Sequence, residues 1–141
     1  MRYEKDMDEE TLKDILGWDI INWGQALDFF DASLPEKKQG LTALELGSGF
    51  NGGLSLWLAL KGIKVTCSGF NPKYDGVSNE AKEAHIKYQV NKLIEYKEIN
   101  ACDIPYESSF DIICYKSMLG GIVRNQESSI AENITDQNIE H

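Results

Sequence analysis

The chain has 141 residues, 42% of them hydrophobic and 26% charged, which fits one globular domain with a real core. Its 14 lysines and arginines face 23 acidic residues, a formal balance of −9. With no cluster of basic residues, that balance disfavours nucleic-acid backbones and anionic lipid as partners.

The opening "MRYEKDMDEE" is too acidic for a signal peptide, and no apolar run reaches membrane-spanning length. Cys67, Cys102 and Cys114 lack the spacing of a zinc site. Their odd count within apolar segments fits reduced, buried thiols. A soluble, cytoplasmic protein without a bound metal is expected.

The first predicted element is helical. From Glu9 to about Phe30, Leu12, Ile15, Leu16, Ile20, Trp23, Leu27 and Phe30 recur at gaps of three and four, one face of a helix. Gly17 bends or splits it. The turn-rich "DASLPEKKQG" closes a helical segment over 1–40.

Thr42–Leu46 reads as a strand, 47–53 as a loop, and Leu54 to Leu60 as a helix closed by Gly62. The alternating, β-branched "IKVTCS" predicts a second strand over Ile63–Ser68. After a loop, Ser78 is placed as the N-cap of a helix reaching about Tyr88. Further strands fall near Ile94–Ile99 and Phe110–Tyr115, and only a short link separates them. Strands separated by helices imply parallel crossovers, hence an α/β fold.

"GSGFNGG" fits G-x-G-x-x-G through Gly47, Gly49 and Gly52, with a strand leading in and a helix leading out. A tight turn that binds nothing is the plain alternative. Glu45 separates the ligand classes. A dinucleotide would set its pyrophosphate against this loop, where a carboxylate repels it. S-adenosylmethionine (SAM) carries an ammonium and a sulfonium and no phosphate. Glu45 is then either an attractive partner for that cation or a partner of the helix dipole.

"LELGSGFNGGLSLWLALKG" resembles the first motif of class I SAM-dependent methyltransferases, and "INACDIPYESSFDIICYKSMLGG" resembles a later segment of that family. The likeness spans about Leu41 to Gly121. It implies a Rossmann-like parallel sheet of about four strands in the order 3-2-1-4, with helices mainly on one face, over 41–122. It also implies SAM across the carboxyl ends of the first strands, with Glu45, Gly47, Ser48 and Gly49 around its methionine part and Phe50 and Asn51 beside it.

The family's ribose-binding acid falls on Gly69, so that acid is absent. Asn71 and Asp75 are the nearby substitutes, and Gly69→Asp is expected to tighten SAM binding. Asn100 stands where an acid usually meets the adenine amino group, with the Ala101 N–H beside the ring. Asp103 matches a second acid of that segment or caps a turn. Lys116 and Ser117 lie where the transferred methyl should sit. Lys116 is either a general base or a lysine covering the strand end.

His85 is expected to pack at the sheet edge, Trp23 to pack in the core, and Trp18 or Trp23 to wall the pocket. The family's Asn-Pro-Pro-aromatic signature is missing, which points to a small-molecule or protein acceptor.

After four strands the chain turns polar over 123–141, with one weak helix carrying Ile130 and Ile134. The fourth strand would be an open edge and one sheet face bare. Two expectations follow. The chain is a fragment of a longer protein, or two copies cover each other as a homo-oligomer with this tail swapped. The leading function is SAM-dependent methyl transfer by this SAM-binding half. A catalytically silent binding or scaffold module is the alternative, and a nicotinamide oxidoreductase is disfavoured by Glu45.

Overall fold

A computed structural model describes residues 7–70, 76–107 and 109–116. Asn71, Asp75, Ser117, Gly121 and the tail with Ile130 and Ile134 lie outside the described residues.

The leading helical segment is two helices, α1 (Glu9–Leu16) and α2 (Ile20–Ser33). The split falls at Gly17, whose φ of 77° is cheap only for glycine. Asp8 caps α1 by accepting from Thr11 N at 2.8 Å. Leu12, Ile15 and Leu16 are the buried stripe of α1 that the periodicity marks.

β1 spans Thr42–Leu46, α3 Gly53–Leu60, β2 Lys64–Gly69, α4 Asn79–Lys87, β3 Ile94–Glu98 and β4 Ile112–Tyr115. Ser78 caps α4 through Ala81 N at 3.2 Å. The four strands form one parallel sheet in the order β3-β2-β1-β4. The order follows from right-handed crossovers through α3 and α4.

The two faces of the sheet differ. Ala43, Val65, Cys67 and Ile94 join α1 and α3 in the main core. Seven of the eight α3 residues are buried, because α3 lies between the sheet and α1. α1 crosses α3 so closely that a Cβ on Gly53 would overlap the Ile15 carbonyl oxygen.

The opposite face carries Leu44 and Leu46. Ile99, Tyr106 and Phe110 from the β3–β4 link cover them, the last two as an edge-to-face pair. The expected bare face is therefore smaller than the sequence suggests. Among the described residues it comes down to β4, where Ile113 and Tyr115 are 57% and 46% exposed. β4 is also one of the two sheet edges among those residues, β3 being the other.

The cysteines are free, but only Cys67 is fully buried. Cys114 is half-buried and Cys102 is exposed in the β3–β4 link, a correction to the expectation of buried thiols. No described helix is long and apolar enough to cross a membrane.

Candidate functional site

The glycine loop leaves β1 at its carboxyl end. Ser48 N donates to Ser68 O at 2.9 Å, and Ser68 Oγ donates to Glu45 O at 2.6 Å, so β2 fixes the start of the loop. Gly52 N then donates to Ser48 O at 3.0 Å and closes the turn. Gly49 has a φ of 62° and open space where a side chain would stand, so its backbone is free to approach a ligand.

Glu45 does not face that space. Its carboxylate is buried beneath the loop, and Oε1 accepts from Ser55 N at 3.1 Å and Ser55 Oγ at 2.7 Å. The Cys67 thiol lies 3.8 Å from the same oxygen. Glu45 is thus the anion at the N-terminus of α3. The N-cap Gly52 has no side chain to offer, and Glu45 compensates. Of the two roles open to Glu45, the helix-dipole partner is the one its hydrogen bonds describe. Burial pushes its pKa up to about 7, against the pull of the Ser55 and Leu54 donors.

A pocket of about 270 Å³ opens outside the loop, lined by Gly47, Gly49 and Phe50 on one side and Gly69, Phe70, Gly76 and Ser78 on the other. Phe50 and Phe70 are 75% and 63% exposed at its rim. Ser48 Oγ is buried with no partner of ordinary hydrogen-bond geometry beyond a weak contact with the Cys67 thiol.

Asn51 turns the other way. Its Nδ2 donates to Asp14 O at 3.1 Å and Ile15 O at 3.0 Å, carbonyls that the end of α1 leaves unpaired. Its role is to fasten the loop to α1, not to line the pocket.

Gly69 holds the largest correction. A Cβ there would overlap Gly76 O, because the chain returning from the β2–α4 loop lies directly on the strand end. The missing acid is replaced by backbone, so Gly69→Asp cannot simply restore a ribose partner. Gly76, which sequence reasoning passed over, is equally confined: its φ is 94°, and a Cβ would meet Glu98 Cα and Gly69 O at 2.7 Å.

Asn100 and Ala101 do not line the pocket. Asn100 Oδ1 accepts from Cys102 N and Asn100 O from Asp103 N, both at 2.9 Å, which closes a local turn. The turn belongs to Asn100, and Asp103 is exposed within it.

His85 is fully buried and packs, as expected, against the sheet edge, stacked on Tyr96 of the outer strand β3. It sits 2.9 Å from Gly52 O and 2.7 Å from the Tyr96 hydroxyl. Gly52 O can only accept, so Nε2 carries the proton and Nδ1 accepts from Tyr96. Burial holds its pKa below the usual histidine value, opposed by the Gly52 bond. His85 thus supports the glycine loop from α4. The one signal for this was a histidine sharing a helix face with the small residues Ala81 and Ala84.

Lys116 follows β4, with its Nζ 4.8 Å from the centroid of Trp18 and 4.7 Å from that of Trp23. The two indoles meet edge to face, their centroids 6.1 Å apart. The strand-end lysine of the sequence reading is therefore a lid on two tryptophans. Trp23 is only partly buried against the core, and Trp18 is 57% exposed.

A family model described as a methyltransferase domain matches residues 44–133, more than half of the chain. The chain belongs to the class I SAM-dependent methyltransferase family. No curated protein matches it. Among solved structures it is similar to a putative sarcosine dimethylglycine methyltransferase from Galdieria sulphuraria, at 23% identity and a TM-score of 0.50. The match covers 67% of this chain and 33% of that one.

This likeness shows the shared fold, and the chain spans about a third of the neighbour's length. Members of the methyltransferase family generally bind SAM. The open backbone at Gly49 fits such a ligand.

Proposed function

We propose that this chain is the SAM-binding part of a methyltransferase acting on a small-molecule or protein acceptor. The observation that carries the reading is the placement of Glu45. A dinucleotide seats its phosphate on the N–H groups at a helix N-terminus after such a loop. Here the chain's own carboxylate bonds Ser55 N in that turn. An anionic diphosphate would meet a seat whose Ser55 N–H is already taken by the Glu45 carboxyl, about half of it ionised at neutral pH. A ligand without phosphate, carrying positive charge, meets neither obstacle.

The residues that would hold SAM are the backbone of Gly47 and Gly49 and the rim formed by Phe50 and Phe70, with Ser48 buried behind them. SAM supplies a methyl group already activated by its sulfonium. The protein's work is to bind, align and exclude water. His85 and Asn51 hold the loop in shape for that work, from α4 and α1 respectively.

One observation favours the second reading, a silent binding module. The Gly69–Gly76 contact puts backbone where the family has an acid. Losing a charged acceptor costs ~1.5–3 kcal/mol, roughly ten- to a hundredfold in affinity. The exposed Ile113 and Tyr115 on β4 support completion of the sheet by further chain or by a second copy.

Isothermal titration separates the readings. The methyltransferase reading expects heat on adding SAM and S-adenosylhomocysteine, with little on adding NADH. No heat from either adenosyl ligand at millimolar concentration selects the silent module. Tight NADH binding would return the oxidoreductase.

A further inference from the structure

Trp18, Trp23 and Lys116 form a cation site that the glycine loop does not account for. Two indole rings at 79° make a corner, and one ammonium lies within 5 Å of both centroids. That is cation–π distance to each ring. The ammonium belongs to the chain itself, on the flexible stem of a lysine.

The corner also stands in a telling place. Trp18 directly follows Gly17 at the end of α1, and Asn51 ties that end to the glycine loop. Lys116 directly follows β4, whose Tyr115 pairs with Leu46 at the exit of β1. The corner therefore lies at the loop end of the sheet, on the β1–β4 side, away from the Gly69–Gly76 contact. With Trp18 more than half exposed, solvent and solutes reach it. Burial holds the Lys116 pKa below the usual lysine range, opposed by Glu45, so a departing lysine regains hydration.

We propose that the Trp18–Trp23 corner is a recognition subsite for an organic ammonium group on the methyl acceptor, with Lys116 as its built-in competitor. Aromatic faces favour weakly hydrated, methylated or alkylated ammonium groups over small inorganic cations. The corner recognises charge and is assigned no transfer step. The inference rests on the methyltransferase reading only in naming the ligand as the acceptor.

The test uses the three tryptophan indole N–H resonances of the ¹⁵N-labelled protein, from Trp18, Trp23 and Trp57. Tetramethylammonium chloride should shift two of them saturably and leave Trp57 in place, while equal sodium chloride shifts none. Lys116→Ala should lower the half-saturating concentration by about three- to tenfold. Lys116→Met, which keeps an apolar stem, serves if the alanine variant does not fold. A response in either folded variant supports the proposal even where the wild type responds weakly.

Three results overturn it: no shift beyond sodium chloride in wild type and folded variant, equal movement of Trp57, or displacement of tetramethylammonium by S-adenosylhomocysteine. The last would give the corner to the cofactor. Ammonium binding in a protein that takes up no SAM keeps the subsite and removes the methyltransferase reading. SAM binding with unmoved indoles does the reverse.

Discussion

The two ends of the candidate pocket are built by different means. At the β1 exit, side chains do the work. Glu45 caps α3, Asn51 fastens the loop to α1, and His85 holds Gly52 from α4. At the β2 exit, backbone meets backbone, with Gly69 against Gly76 and Gly76 against Glu98. The first end is held because Glu45, Asn51 and His85 each bond a neighbouring element. The second is tight because nothing larger than hydrogen fits. A ligand at the β1 end therefore meets a pre-organised cradle. At the β2 end it meets a surface that, among the described residues lining the pocket, offers shape but no carboxylate.

The contrast breaks first at the β1 end, at Gly53. This glycine lets α1 press its Ile15 carbonyl onto α3, and the Asn51 clasp depends on α1 staying there. Gly53→Ala forces the helices apart. The expected loss is about 3 kcal/mol or more, from overpacking against backbone that cannot rotate away. Chemical denaturation reads it as a lower midpoint. A variant as stable as wild type would show that α1 is not seated as described.

At the β2 end, Gly69→Asp is expected to cost ~1–3 kcal/mol, because its Cβ must displace the Gly76 carbonyl. It should also weaken SAM binding, by moving the wall that Gly69 and Gly76 give the pocket. Paired melting and calorimetry check both. A stable Gly69→Asp protein that binds SAM more tightly would mean the loop yields easily and the family acid can be restored. The comparison between the two ends would then fail.

Much of this architecture was legible in the chain itself. β1 falls on Thr42–Leu46 as the pattern predicts, and the order 3-2-1-4 follows from alternating strands and helices with a fixed crossover hand. The other strands shift by one or two residues at their ends, as the β2 span Lys64–Gly69 does against Ile63–Ser68.

The pocket was less legible. Glycine spacing announced a loop, but not which way Glu45, Asn51 and Asn100 turn. Each is a polar side chain with two plausible sets of partners, and tertiary packing chose the local backbone or a neighbouring helix end. Gly76 and His85 gave almost no signal, because their roles exist only once α4 packs against the glycine loop. Nothing periodic marks such a contact.

A third substitution probes the charge beneath the loop. Glu45→Gln keeps an acceptor for Ser55 and resembles the protonated acid. With the folded pKa near 7, about half of the wild-type molecules already carry that proton at neutral pH. The unfolded carboxyl is ionised at pH 7 and glutamine does not titrate, so the variant should match wild type near pH 4.5 and be the more stable protein at pH 7. Its signature is a slope.

A folded pKa raised from 4.5 to about 7 gives stability that is fully present below 4.5 and lost as pH rises toward 7. His85 acts in the opposite sense. Its folded pKa is depressed, so its share is present above 6.5 and lost as the pH falls below that value. Removing the Glu45 titration leaves the His85 trend uncovered. Urea midpoints of Glu45→Gln minus wild type should accordingly rise steadily from pH 4.5 to 7. A flat difference would place the carboxylate in water rather than against α3, and the helix N-terminus would again be open to a phosphate.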